Sequence, residues 1–591
     1  MFVNTIRGRL FGALLLSLAA VGPVWAAQEA PALQQQVAAG TLPAVDERLP
    51  LAPMVLTPRQ SVGTYGGDLR LGMKGVGDFF LLIRSLGYEP LVAWDSDWSK
   101  VVPNVAESFE VNDNATEFTF RLREGTKWSD GVPLTADDIM FWYEDVTLNT
   151  DLRPSPPARM QINGETVKLT KIDDYTVKFS FTQPNGLFLQ YIAYNRAGVE
   201  PVSFPRHYFE QFHLKYNPDA NKLAAELGYS TWVELFKAKA SELDWPWRFN
   251  AEVPVLHAWQ LTESIGKSSA AQQIVAQRNP YYFKVDTEGN QLPYLDRVVY
   301  SMVQDDEVLL LKALDGEIDF QDRNISIDAN KATLFDGQEA GGYRIYDVEL
   351  SDMNTGIVVL NLTHPEPAKR EVFQNKDFRI ALSHAINRQE IIDIVHLGVG
   401  EPWQAAPRPG TPIYNEAMAK QYTEYDPAKA NQILDGILPN RGANGMRTLP
   451  DGSPLAIVFE ITDAHGLRFP DVAELVTNYW RAVGIDTQFR VVDRSLWDQR
   501  RIANVIDATI WRGFGGSLDA FVDARWYVPV FFDAIWATPW GYWYDGRDGA
   551  QEPPQAVKDH QAIYTAVLSS PSLEAQVEKY KELLEVSAEQ F

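Results

Sequence analysis

The stretch Leu122–Ile139, LREGTKWSDGVPLTADDI, carries acidic residues of the kind that bind metal or move protons, and its reading decides how the chain is taken. Just before it, EFTFRL alternates Phe118, Phe120 and Leu122 with polar residues, the period-two pattern of a half-buried strand. Asp130-Gly131 is a turn signal. Thr135 stands three residues ahead of Asp138 and just before the apolar run IMFWYEDV. That is a capping box with Asp in place of Glu, in which the Thr hydroxyl accepts from the third helical N–H. Asp137 and Asp138 fall in the first turn, where the helix dipole favours negative charge. Every acid has a structural task, so the stretch reads as strand, turn and helix start rather than as a metal or acid–base centre. Trp128 and Trp142, which flank the turn and helix, read as packing.

The same alternation continues outward. Ala27–Ser61 reads as a short helix and then an extended peptide, and DLRLGM after Gly67 as a strand. Further strands are expected at YTVKFSF (175–181), GIVVLNL (356–362, a continuous apolar run and hence buried), PLAIVFEIT and IDTQFRVVD. Helices are expected at STWVELFKAKASEL with Ser230 as cap, at VLLLKALDGEIDF up to Gly316 and followed by a strand, over DFRIALSHAINRQEIIDIVHLG (377–398), and at DVAELVTNYWRAVG closed by Gly484. The fold class is α/β, or mixed α+β, built on sheets. Length alone suggests about three or four domains.

Composition narrows the function classes. Arg7 and Arg9, the apolar run Leu10–Val21, Pro23 and the small-residue site Val24-Trp25-Ala26 make a secretory signal, with cleavage expected after Ala26. The apolar run is shorter than the roughly 20 residues a membrane span needs. Net charge is 53 − 78 = −25, or −27 without the two signal arginines, a field that repels nucleic acid and anionic lipid. With no cysteine there are no disulfides, thiolate nucleophiles or zinc–cysteine sites. No phosphate loop, H-E-x-x-H helix, EF-hand or G-x-S-x-G elbow is present, and no cofactor is expected. His384 and His396 are twelve apart, about 120° around a helix, and do not share a metal. The aromatic content stands out: 17 Trp, 24 Tyr and 29 Phe, with Trp526, Trp536, Trp540 and Trp543 among prolines and glycines. Aromatics on such irregular backbone either line a pocket or pack their own loop down.

Five ordered segments resemble one family. AESFEVNDNATEFTFRLREGTKWSDGVPLTADDIMF (106–141), NPYYFKVDTEGNQLPYLDRVVY (279–300), LLLKALDGEIDF, DFRIALSHAINRQEIIDIVHLGVGEP and YDPAKANQILD are similar, in that order, to motifs of family 5 extracellular solute-binding proteins of ABC importers, the dipeptide, oligopeptide and nickel-binding type. The resemblance implies a two-lobed periplasmic-binding-protein fold, a "Venus flytrap" of the cluster C type with an extra inserted domain. The expected division is 1–26 signal, 27–100 first lobe, 101–190 inserted domain, 191–350 first lobe, 351–525 second lobe and 526–591 first lobe again, read as cut short of the family's closing segment. It further implies a periplasmic monomer that binds a peptide or oligosaccharide between the lobes and delivers it to an inner-membrane permease, without catalysis. A secreted carbohydrate hydrolase and a chemoreceptor-coupled binder are the rival readings.

In the family's dipeptide binders an aspartate of a W-x-G-D-type run pairs with the peptide amino terminus. Here the corresponding run is WRGFGGSLDAF, and Phe514 takes that aspartate's place. A buried ammonium without a carboxylate is costly, so Phe514 is expected to offer a stacking face instead. Relatives with the VDTEGNQLPYLD style of segment include oligosaccharide binders. The candidate contacts are Trp511, Arg512, Gly513, Phe514 and Asp519, with Asp78 and Phe79 after the first strand, Trp259, and Trp403. Asp519 keeps a later family acid that also reads as structural.

Overall fold

The computed structural model describes residues 27–96, 100–162, 164–194, 198–243, 245–266, 272–348, 350–462 and 468–591. The expected signal segment, residues 1–26, lies outside them. The described residues build three four-stranded sheets. In the first, the order is Trp259–Leu261, Gln273–Arg278, Arg297–Val303 and Asp68–Lys74. Its last pair is parallel and the others are antiparallel. The second is antiparallel throughout, in the order Ala106–Val111, Glu117–Leu122, Thr176–Ser180 and Lys168–Asp173. The third runs Asn354–Leu360, Ala508–Gly513, Ala456–Ile461 and Asp486–Val491, with the last three mutually parallel. One apolar core continues through all three.

The turn at 122–139 forms for the local reasons its residues suggest. The Thr135 hydroxyl accepts from the Asp137 N–H at 3.3 Å, and the Asp138 carboxylate accepts from the Thr135 N–H at 2.9 Å and from the Arg206 N–H at 2.9 Å. Asp130 accepts from the Val132 N–H, and Asp137 pairs with Lys171 at 2.9 Å. The helix Ala136–Phe141 then widens into a π-helical segment, Trp142–Thr147. Trp128 and Trp142 are each 1% exposed, as packing residues should be.

Several elements differ from expectation, each for a physical reason. Thr231, not Ser230, caps Trp232–Lys239: its hydroxyl accepts from the Glu234 N–H, while the Ser230 N–H donates to the Glu234 carboxylate. The run GIVVLNL is an edge strand paired on one side only, and its burial grows only toward Leu360. The residues directly after Gly316, expected as a strand, form none. Instead Asp319 grips the Arg70 side chain and backbone and ends the segment on the free edge of Asp68–Lys74. The region 377–398 is two helices, Lys376–Ala385 and Arg388–Val395, because Ile386 turns extended and Asn387 recaps through the Glu390 N–H.

The chain ends in a helical hairpin, Gln555–Ser569 and Leu573–Gln590. Its turn docks on Gly186, whose N–H donates to the Leu568 carbonyl, and a Cβ there would stand 1.7 Å from the Ser570 oxygen. The Tyr564 and Tyr580 hydroxyls donate to the Phe521 and Ala520 carbonyls, which ties the hairpin to the segment leaving the third sheet. None of the described helices is long and apolar enough to cross a membrane.

Two buried histidines make the fold acid-sensitive. Burial pushes His257 and His560 down to about 4, against the help of carbonyl neighbours. Unfolded histidine titrates near 6.5, so between those values the unfolded chain binds more protons than the folded one. Stability should therefore fall as pH drops from about 6.5 to 4, by up to about 1.4 kcal/mol per pH unit for each histidine. Urea unfolding across that range checks it, and His257→Leu with His560→Leu should flatten the slope. Thr135→Ala should cost about 1 kcal/mol through the lost cap, read as a lower unfolding midpoint.

Candidate ligand site at the chain crossing

The chain enters the third sheet at 350–354 and leaves it at 513–516, and these two passages hold each other. The Met353 N–H donates to the Gly513 carbonyl at 2.9 Å, and the Gly516 N–H to the Ser351 carbonyl at 2.8 Å. A Cβ on Gly516 would lie 2.5 Å from the Ser351 oxygen, so only glycine fits. Arg512 closes on Asp352 through its Nε at 2.8 Å. The Arg408 N–H donates to the Gly516 carbonyl, and the Tyr527 hydroxyl to the Gly515 carbonyl. Asp519 accepts from the Gly515 and Ser517 N–H groups, each at 3.1 Å, which gives it a capping task. Burial raises the carboxyls of both Asp352 and Asp519, the first against the pull of Arg512.

This crossing sits where ligand clefts form. The three parallel strands of the third sheet share a carboxyl edge, and the crossing leaves from it, which is where α/β sheets place their ligands. On the other side, Asp78 and Phe79 follow the carboxyl end of Asp68–Lys74. Asp78 is 7% exposed, forms an ion pair with Arg323 and accepts from Asn324 Nδ2 at 3.3 Å. Burial raises Asp78 and lowers Arg323; Arg323 is held up by Asp78 and lowered further by Arg84 and by Arg512.

Aromatic side chains line both sides. Phe79 stacks on Phe80 with 4.6 Å between centroids and meets Phe249 edge-on at 5.7 Å. Trp245 stands against Phe80 at 5.8 Å, and the Arg248 guanidinium lies 4.7 Å from Phe79 and 4.9 Å from Phe249. Across the crossing, half-buried Phe514 lies beside two guanidiniums, Arg512 at 5.2 Å and Arg525 at 5.6 Å. Arg525 is itself held by Asp523 and Asp533. Arg512 and Arg525 each already have a counter-charge within the chain.

The sequence candidates thus separate. Arg512, Gly513 and Phe514 lie at the crossing, with Asp519 capping it, and Asp78 and Phe79 follow the carboxyl end of Asp68–Lys74. Trp511 is 9% exposed, packed on Trp497 at 4.6 Å and 12° with the Arg494 guanidinium 4.3 Å away, so it supports the wall from behind. Trp403 stacks on Tyr414, carries the Lys420 ammonium 4.5 Å from its ring, and donates its indole N–H to the Ala406 carbonyl. Trp259 is elsewhere. Pairing runs Trp259 to Arg278, Gln277 to Arg297 and Arg297 to Asp68, which puts it at the opposite end of the first sheet from Asp78, about 20 Å along a seven-residue strand. Trp245, Arg248, Phe249 and Arg323 were missed. The run WPWRF (245–249) carried the signal, aromatics beside a proline. Among the described residues no group of His, Cys, Asp and Glu is arranged to hold a metal ion.

Comparison with known proteins identifies the family and the fold. Residues 100–529 match the family model "Bacterial extracellular solute-binding proteins, family 5 Middle". A periplasmic alpha-galactoside-binding protein of Rhizobium meliloti is 28% identical over 460 residues, 70% of this chain, and the chain spans about 60% of that relative's length. Di/tripeptide-binding protein 1 of Pseudomonas aeruginosa is 24% identical over 453 residues, 73% of this chain and 71% of its own. Among solved structures, an oligopeptide-binding protein OppA superimposes with a TM-score of 0.64 at 34% identity, covering 95% of this chain and 89% of that one. The periplasmic binding protein MelB of Agrobacterium fabrum, in complex with stachyose, shares the fold with a TM-score of 0.72 at 23% identity over 95% of this chain and 84% of its own. The fold is the mixed α/β architecture of periplasmic binding proteins, and the chain belongs to the bacterial extracellular solute-binding proteins of family 5.

Proposed function

We propose that this chain is the substrate-binding component of an ABC importer, exported by residues 1–26 and working in the periplasm as a monomer, and that it captures an uncharged oligosaccharide between two lobes. In this reading the first lobe comprises 27–100, 191–350 and 526–591, the inserted domain 101–190, and the second lobe 351–525. The crossing at 350–354 and 513–516 is the hinge, and the ligand leaves intact for the permease. The observation that carries the ligand class is the charge state of the site. Phe514 stands where dipeptide-binding relatives are expected to have an aspartate, and the charges around it are committed to one another: Arg512 to Asp352, Arg525 to Asp523 and Asp533, Asp78 to Arg323. A zwitterionic peptide would have to bury its termini against groups that are already neutralised. A sugar presents an apolar ring face to Phe514 and Phe79 and asks for no counter-charge. Closure follows from the ligand's preference for the closed form, with hinge motion about the crossing.

A thermal-shift screen of oligosaccharides against di- and oligopeptides tests the ligand class. Oligosaccharide at 100 times its Kd should add about 2.7 kcal/mol of stability, and a peptide hit with no sugar hit would replace this reading. Phe514→Ala should weaken a confirmed ligand roughly tenfold, about 1.4 kcal/mol, in a calorimetric titration; unchanged affinity removes Phe514 from the site. Asp78→Ala leaves Arg323 buried without its carboxylate and should cost about 3–5 kcal/mol in denaturant unfolding.

A further inference from the structure

The turn at 122–139 ends in a place that the proposed function does not use. Trp128 is buried, and its indole N–H makes no hydrogen bond of good geometry within the protein, although the Asp138 carboxylate is near enough to feel it. His257, 6% exposed, faces the same space. Its Nδ1 lies 2.7 Å from the Trp259 carbonyl oxygen. A carbonyl oxygen only accepts, so the proton is on Nδ1 and Nε2 carries a lone pair. That Nε2 is buried and also without a partner. Burial holds the ring neutral at neutral pH, so the lone pair persists.

The two side chains line one small cavity together with Gly87, Glu89, Ser203 and Trp247. It has room for about one water molecule. The other polar groups there are occupied. Glu89 accepts from the Tyr282 hydroxyl at 2.5 Å and from Asn104 Nδ2 at 3.0 Å, and pairs with Lys284 at 2.8 Å. The Ser203 hydroxyl donates to the Val199 carbonyl at 2.6 Å. What remains is the Trp128 donor, the His257 acceptor and one lone pair on the Ser203 oxygen, with the donor and the His257 acceptor in no hydrogen bond of good geometry. Buried polar groups of this sort are regularly satisfied by an internal water, which needs two to four partners.

We propose that this cavity is a binding site for a single structural water, which accepts from the Trp128 indole N–H and donates to His257 Nε2. The Ser203 oxygen, with a free lone pair, is in place to take its second proton. The bridge extends a seam that the backbone already makes. The Ser129 N–H donates to the Val255 carbonyl at 2.9 Å, and the Val255 N–H to the Ser129 hydroxyl at 3.0 Å. The water carries that seam into the core and fastens the turn after Glu117–Leu122 to the segment leading into Trp259–Leu261. The tryptophan of the W-S-D-G turn is then a hydrogen-bonding residue as well as a packing one.

A high-resolution crystal structure of the full chain at pH 7 tests this. The expected result is one ordered oxygen about 2.7–3.2 Å from both Trp128 Nε1 and His257 Nε2. Empty density between them, or an indole N–H turned onto the nearby Asp138 carboxylate, overturns the proposal. In solution, Trp128→Phe and His257→Leu each remove one end of the bridge. His257→Leu should shift the unfolding midpoint less in the Trp128→Phe background than in the wild type, and additive shifts count against a shared water. If the variants fail to fold, the wild-type protein decides by NMR: the Trp128 indole proton should show a cross-peak to a long-lived water, and the lack of one refutes the site.

Discussion

The structure turns on the pairing of two short passages, 351–353 and 513–516, that carry the chain into and out of the third sheet. Two backbone hydrogen bonds and the Arg512–Asp352 pair hold them together. Because the passages pair with each other, neither can swing alone. In the proposed reading, the third sheet with its helices and the first sheet with the second one move as bodies about this line. Gly516 makes the pairing possible, since any side chain there would meet the Ser351 carbonyl. Asp519 and Tyr527 fix the turn that follows, and the C-terminal hairpin packs on the segment just beyond it. A hinge needs a short stretch that bends and long stretches that do not. Here the stiffening groups are clustered immediately beside the bend.

Two of the proposed contact residues sit beside strand ends. Phe514 is the residue between Gly513 and Gly515 of the crossing itself, and Phe79 follows the strand Asp68–Lys74 by a few residues. In the proposed reading both belong to the ligand walls, and hinge closure would bring them toward the ligand. Trp511 and Trp497 behind the wall, with Arg494 beside them, give it rigid backing. The ion pairs have a second effect. They let guanidiniums and carboxylates shape the walls while leaving little net charge for a ligand to answer.

The fold was largely readable from the chain because its signals are local. The cap at Thr135, the alternation of Phe118, Phe120 and Leu122, and the Asp130-Gly131 turn all act within a few residues. Where the reading slipped, either two neighbours competed for one role, as with Ser230 and Thr231, or the outcome depended on partners far along the chain. GIVVLNL looks like a central strand, and only the sheet order makes it an edge. Ile386-Asn387 breaks a run whose apolar spacing alone would have carried on. The candidate residues were legible only as local motifs. Arg512, Gly513 and Phe514 share one motif with Asp519 and so fall together. Trp259 lies at the opposite end of the first sheet from Asp78 because its position depends on the register of four strands, which composition does not encode. Arg323 and the shelf of Trp245, Arg248 and Phe249 escaped because they meet Asp78, Phe79 and Phe80 only through tertiary packing, and Arg512 meets Asp352 across 160 residues.

The net charge of −25 and the neutralised site fit together. An acidic surface repels anions at long range and leaves neutral solutes unaffected. A cationic ligand would be drawn in by the same field, but on arrival it would need a carboxylate free to receive it. Asp78, Asp352, Asp523 and Asp533 are each engaged with an arginine of the chain. Capturing a cation would mean breaking one of those pairs and leaving a buried guanidinium behind, a penalty that the new contact would have to exceed. The long-range field therefore disfavours one sign of ligand charge and the internal pairing disfavours the other. An uncharged molecule with apolar faces escapes both costs.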